Sequence, residues 1–264
     1  MIMIHGLATN LAFWIPLTTF LQTGQPFLLF DLRGHGRSSI TPGGYSATSM
    51  VRDVKNLMDG LDISAAHLLG HSYGGAVAVE FAGQWPDRCI SLMLADARIR
   101  MFQPIQRPRD WPNWTHLQER LASIGVCVRD DQEEAGYFIL TELARLSTTL
   151  TTMTDWPRRI SEVMGGGLSR QTATRWLELV NSTSINTDVL LPETVRPDIL
   201  RTLSMPVFSA YGELSPVLKS AESVAALWPH GAHHRVTDVG HFFPLTQARL
   251  LSSLIHSFLG VGES

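Results

Sequence analysis

The chain is poor in cysteine, low in charge and free of any long apolar run, and each shortage closes off a class of protein. Two cysteines occur among 264 residues, Cys89 and Cys127, and neither stands in a metal-binding or redox spacing. A zinc module and a disulfide scaffold are therefore excluded, and both thiols read as small buried hydrophobes. Charged residues make up 17% and the formal net charge is −3, with no Lys/Arg block, so nucleic acid is not expected as a partner. No apolar stretch approaches the ~20 residues that a bilayer span needs. The first residues, Met1-Ile2-Met3-Ile4-His5-Gly6, lack the basic start and cleavage site of a signal peptide. The expectation is a cytoplasmic chain without a membrane partner.

What is present is a repeated alternation. Short apolar runs at residues 1–4, 26–30, 65–69, 90–95, 207–211 and 234–239 end in glycine or polar turns. Segments of helical period lie between them. Met50, Val51, Val54, Leu57, Met58 and Leu61 form one stripe over residues 46–61, and residues 73–85 are apolar on nearly all sides until Pro86 stops them. A last helix is expected over residues 245–259. This is the pattern of an α/β fold, a doubly wound, mostly parallel sheet covered by helices. Residues 98–201 break the pattern. They are rich in Trp, Pro and Arg, show helical stripes at Phe138, Ile139, Leu143 and Leu146 and at Trp176, Leu177 and Val180, and contain no convincing strand. They are expected to form a helical lid inserted into a core of residues 1–97 and 202–264, with Gly165-Gly166-Gly167 as a hinge or turn.

Ser72 lies in Gly70-His71-Ser72-Tyr73-Gly74, after a strand and before a buried helix. The G-x-S-x-G motif requires that context, because a serine on a sharp strand-to-helix turn projects its Oγ into open space. Side chains at positions 70 and 74 would clash with the neighbouring strand and helix, and Gly75 extends the clearance. The N-terminus of the following helix then brings partial positive charge to a developing oxyanion.

His5-Gly6 after the first strand, the run from Asp31 to Ser38, the elbow from Gly70 to Gly75 and Gly240-His241 together resemble the α/β-hydrolase fold superfamily. They stand in that family's order, and the resemblance covers nearly everything outside residues 98–201. It implies a serine hydrolase with a helical lid, needing no metal and no cofactor. It places one oxyanion donor on the backbone N–H of Tyr73 and the other on that of Leu7. It treats Asp31–Ser38 as a structural loop, with His35 packed inside it. Of ten histidines it selects His241 as the base, where an imidazole can take the serine proton and return it. His230, His233 and His234 then read as surface or packing residues.

The acid departs from that pattern. The family's usual place for it follows the penultimate strand, and here that stretch reads Tyr211-Gly212-Glu213-Leu214-Ser215, with an uncharged serine where the carboxylate belongs. Asp96, directly after the strand at residues 90–95, is the expected replacement, since some members carry the acid there. Glu213, two residues early but longer, is the alternative acid. Asp238 reads as a strand residue, poorly placed for the role.

Relatives also carry strands before the one ending in His-Gly, and this chain starts at that strand. Residues 26–30 would then be an exposed apolar sheet edge, covered by a second copy in a homodimer unless the true start lies upstream. A serine nucleophile argues against the epoxide-hydrolase and haloalkane-dehalogenase branches, which use aspartate. The expected function is hydrolysis of a carboxylic ester or thioester of a medium-sized apolar substrate, with Trp111, Trp114, Trp156 and Trp176 of the lid as candidate substrate-binding residues. Carbon–carbon bond hydrolysis of dienoic ketones and ligand binding by an impaired homologue are the alternatives.

Overall fold

Alternating side chains along each strand decide which helices cover which face of the sheet. In a computed structural model that describes residues 1–21, 24–149 and 168–260, six strands lie side by side. They are β1 (Ile2–Ile4), β2 (Leu28–Leu29), β3 (Ala66–His71), β4 (Cys89–Ala95), β5 (Val207–Gly212) and β6 (Ala232–Val236). Their order is β2-β1-β3-β4-β5-β6 and every pairing is parallel.

Ile2, Ile4, Leu68, Leu92, Leu94 and Val207 turn to one face, packed with residues of α2 (Ala47–Gly60), α3 (Tyr73–Gln84) and α9 (Leu218–Leu227). Met3, Leu69, Met93, Ala95, Phe208 and Ala210 turn to the other, against α1 (Ile15–Phe20), α10 (Phe243–Thr246) and α11 (Ala248–Leu259). The period of two is thus written directly into each run, and both faces are buried as a parallel sheet requires. Burying each of the Ile, Leu, Val, Met and Phe side chains among these is worth about 1.5–3 kcal/mol. On α2 the expected stripe is buried at Met50, Val51, Val54 and Met58, whereas Leu61 is half exposed because the helix has already ended there. The Ser46 hydroxyl accepts from the Ser49 N–H and caps its start.

Three sequence expectations are corrected. The last strand ends at Val236, so Asp238 sits in the turn beyond it and not within the strand. The C-terminal helix is two pieces, α10 and α11, which part at Gln247. Cys89 is buried, but Cys127 is exposed, because Val126 and Val128 on either side of it take the inward positions. The edge strand β2 pairs only through Leu28 and Leu29, both half-buried.

Between β4 and β5 the chain carries α4 (Trp114–Ser123), α5 (Ala135–Thr149), α6 (Arg170–Ser182), α7 (Ile185–Asp188) and α8 (Pro197–Arg201), with no strand among the described residues. Gly165-Gly166-Gly167 lies outside the described residues. Charged side chains fasten this excursion to backbone groups of the sheet layer. Arg175 donates to the Gly34 and Ser38 carbonyls, and Asp188 accepts from the Gly44 and Tyr45 N–H groups at 3.0 and 2.9 Å. Glu80, fully buried on α3, accepts from the Thr194 and Val195 N–H groups at 2.9 and 3.1 Å. No described helix is long and apolar enough to cross a membrane.

Candidate active site

The chain reverses direction across the sheet between β1 and β3, and in open parallel sheets the crevice at such a switch point, beyond the carboxyl ends of the strands, is where ligands bind. Leu7 follows β1, Ser72 follows β3, Asp96 follows β4 and His241 follows β6, so all four stand at that end.

Ser72 joins β3 directly to α3 with φ 53° and ψ −121°, a backbone state that costs a non-glycine residue on the order of 1–3 kcal/mol. The glycines around it are needed for space. A Cβ on Gly70 would collide with the Gly74 and Gly75 backbone, and one on Gly74 with the Ile4 and His5 carbonyls. A Cβ on Gly6 would lie 2.9 Å from the Ser72 Cβ. Gly74→Ala is therefore expected to lower stability by about 1–3 kcal/mol, since backbone carbonyls cannot yield as a flexible side chain can. Urea unfolding checks this, and an unchanged midpoint would contradict it.

His241 bridges two groups. Its Nε2 is 3.0 Å from Ser72 Oγ and its Nδ1 is 2.8 Å from Asp96 Oδ1. Asp96 is fully buried and has φ 49°. Its backbone is tied on both sides: the Asp96 N–H donates to the Ala210 carbonyl at 2.8 Å, and the Ser72 N–H donates to the Asp96 carbonyl at 3.2 Å. The turns at Ser72 and Asp96 thus hold each other. Asp96 Oδ2 accepts the Gly212 N–H at 2.7 Å, and Oδ1 accepts the Ser215 hydroxyl. Glu213, the alternative acid, is not brought to His241. Its half-buried carboxylate instead accepts from the Asp238 N–H at 3.4 Å.

The Leu7 and Tyr73 residues border the cavity in front of Ser72. Tyr73 is the first residue of α3, where helix geometry leaves the N–H without an intrahelical acceptor, and the Leu7 N–H has no acceptor among the described residues. The peptide carrying that Leu7 N–H is held from behind. Its other end, the Gly6 carbonyl, accepts from His5 Nδ1 at 2.7 Å and from the Thr9 hydroxyl at 2.8 Å. His5 Nε2 accepts the Leu32 N–H, which assigns the ring proton to Nδ1. Burial drives the pKa of His5 down to about 3 and that of His35 to about 4, so both rings stay neutral. Asp31 accepts from the Leu11 and Arg37 N–H groups, and the loop it begins is structural, with His35 buried inside as expected.

Two residues near His241 were given no role in reading the sequence. His71 is buried, stacks on Phe13 at 4.3 Å and donates from Nε2 to the His241 carbonyl at 3.0 Å, which fastens the His241 loop to the turn at Ser72. Burial holds its pKa well below the ordinary value. Ser215 is the other, visible in the sequence only as the uncharged residue in the usual acid position. Of the remaining nearby histidines, His233 donates to the Trp228 carbonyl and contacts Ser209, His234 packs on Phe208, and His230 is exposed.

The cavity has a volume of about 370 Å³ and passes from Ser72 and His241 beneath residues of α4 and α5. Its wall is mainly apolar, with Leu117, Ile139, Leu140, Val189 and Phe242, and the Arg98–Glu134 ion pair (2.7 Å) enters it. Trp111 belongs to that wall. Trp114 and Trp176 do not, which corrects the expectation for them. Trp114 donates to Asp130 and packs edge-on against Trp111, while Trp176 is buried between α5 and α6, donating to Thr141. Trp156 lies outside the described residues. Among the described residues no three His, Cys, Asp or Glu side chains converge as a metal site requires.

A parallel sheet with a strained serine, an imidazole and a buried carboxylate at its switch point defines an α/β protein of hydrolase type. The model of the alpha/beta hydrolase fold family matches residues 1–248, and the chain belongs to that family. A protein of Caulobacter segnis provisionally named carbamate hydrolase RutD is 36% identical over 104 residues, covering 39% of each chain. A fluoroacetate dehalogenase of a Burkholderia species is 31% identical over 128 residues, 45% of this chain and 42% of its own. These matches span less than half the length of either relative. Among solved structures, a thermophilic esterase from Thermogutta terrifontis superposes with a TM-score of 0.65 at 22% identity, covering 100% of this chain and 90% of that one.

Proposed function

We propose that the chain is a serine hydrolase that cleaves a carboxylic ester or thioester of a medium-sized apolar substrate through an acyl-enzyme. The observation that carries this reading is the single imidazole hydrogen-bonded to Ser72 Oγ on one side and to the buried Asp96 carboxylate on the other. Ser72 Oγ attacks the carbonyl carbon as His241 Nε2 takes its proton, and Asp96 stabilises the resulting imidazolium. The Leu7 and Tyr73 N–H groups receive the oxyanion, a pair of donors worth about 3–4 kcal/mol each in such sites. His241 then gives the proton to the leaving alcohol or thiol, and water, deprotonated by the same imidazole, releases the acid. Residues 98–201 serve as a lid whose α4 and α5 supply the apolar wall, with Trp111 part of the acyl or alcohol pocket.

The nucleophile also argues against dehalogenation. Displacement of a halide by Ser72 would leave an alkyl ether, which has no carbonyl for water to attack, whereas an aspartate would leave a cleavable ester. A carbamate presents the same kind of carbonyl as an ester and belongs in the substrate comparison beside it. Initial rates on p-nitrophenyl esters of two to eight carbons, an acyl thioester, a phenyl carbamate and a dienoic ketone test the reading. The expected result is fastest turnover on an ester or thioester, with a burst of p-nitrophenol equal to the enzyme if deacylation is slow. Cleavage of the dienoic ketone alone would overturn it.

A further inference from the structure

We infer that Ser215 is a positioning residue for the acid, fixing by its hydroxyl which way the Asp96 carboxylate faces His241. The inference rests on the reading of Asp96 as the acid behind the base. The terminal torsion of an aspartate is broad and nearly two-fold, so burial alone does not set the plane of its carboxylate. Here two donors from β5 and the turn after it set that plane from different sides. The Gly212 N–H holds Oδ2 and the Ser215 hydroxyl holds Oδ1, the same oxygen that receives the His241 Nδ1–H.

Ser215 is itself fixed. It is fully buried, its N–H donates to the Gly212 carbonyl at 3.1 Å, and its Oγ accepts the Val217 N–H at 3.3 Å. With that acceptor site of the oxygen filled, the hydroxyl proton goes to Asp96. The serine is closed to bulk solvent. The uncharged residue in the place of the usual acid is therefore an accessory of the acid that moved to the end of β4. Because Ser215 and His241 share one carboxylate oxygen, a change at position 215 alters the orientation of the imidazole without touching the substrate cavity.

The test is ester hydrolysis by Ser215→Ala and Ser215→Thr, each also made with Asp96→Asn, together with the NMR resonance of the His241 Nδ1–H proton. Ser215→Ala is expected to lower kcat roughly 10–100-fold, the size of effect that a small misplacement of a reacting group produces, with KM nearly unchanged. Ser215→Thr, which keeps the hydroxyl, recovers most of the loss, and the Nδ1–H resonance moves in Ser215→Ala while circular dichroism does not. In the Asp96→Asn background Ser215→Ala costs less than about threefold, because the two side chains act as a unit. Equal losses in both backgrounds, or a wild-type kcat and resonance in Ser215→Ala, overturn the inference. A wild-type kcat in Asp96→Asn alone would instead remove the reading of Asp96 on which it rests. If Ser215→Ala does not fold, Ser215→Cys, of similar shape but a weak donor, carries the same comparison.

Discussion

Ser72→Ala is expected to lower kcat for ester hydrolysis by about 10⁶, to the residual acceleration that oxyanion donors and binding supply without a nucleophile. The size follows from the geometry. His241 Nε2 has the Ser72 hydroxyl as its partner on the cavity side, so removing that oxygen leaves the imidazole and Asp96 correctly placed with nothing to activate. Loss of His241 by itself should cost about as much, and the two losses together little more than either, since base and nucleophile perform one step. Steady-state rates on the best ester of the panel measure this. A Ser72→Ala enzyme within tenfold of wild type would mean that the attacking group lies elsewhere.

Asp96→Asn is expected to lower kcat on the order of 10⁴. The amide is nearly the size of the carboxylate, so folding is not the cause. Three donors converge on the Asp96 oxygens: the His241 Nδ1–H, the Ser215 hydroxyl and the Gly212 N–H. An asparagine must point its NH₂ group at the Gly212 N–H on one side or at His241 and Ser215 on the other. The arrangement that spares the Gly212 N–H turns the NH₂ toward Nδ1 and makes that nitrogen an acceptor. The imidazole proton then moves to Nε2, and that nitrogen, facing Ser72, can no longer accept the serine proton. Glu213→Gln changes kcat less than about threefold, because its carboxylate meets only the Asp238 N–H and no part of the imidazole. Rates for the two variants on one ester decide between the carboxylates, and a reversed order would put Glu213 behind the base.

The sequence was most legible where one local rule decides the outcome. Apolar runs that stop at glycine become the strands that end at Ile4, His71 and Gly212, and the stripe of Met50, Val51, Val54 and Met58 becomes the buried face of α2. Ser72 was legible because only glycines leave room for its turn, and His241 because a lone His follows the last strand's glycine. Choosing Asp96 over Glu213 was harder, since it depends on how closely the ends of β4 and β5 lie in space, which no local pattern states. The bond from Ser215 to Asp96 is a contact of the same kind across 119 positions. The tryptophans between β4 and β5 show the opposite failure. Trp111, Trp114 and Trp176 are chemically alike in sequence, but the packing of α4 to α6 sends only Trp111 to the cavity wall. Asp238 was misplaced because the stretch expected as the last strand runs to Val239, whereas the ladder's last pair is Gly212 with Val236.

The central claim is that Ser72 is a nucleophile activated by His241. Mass spectrometry of the protein after treatment with a fluorophosphonate tests it most directly. One adduct per chain is expected, on the peptide containing Ser72, and absent when Ser72→Ala is treated alongside. An unlabelled chain, or an adduct on any other residue, would contradict the account.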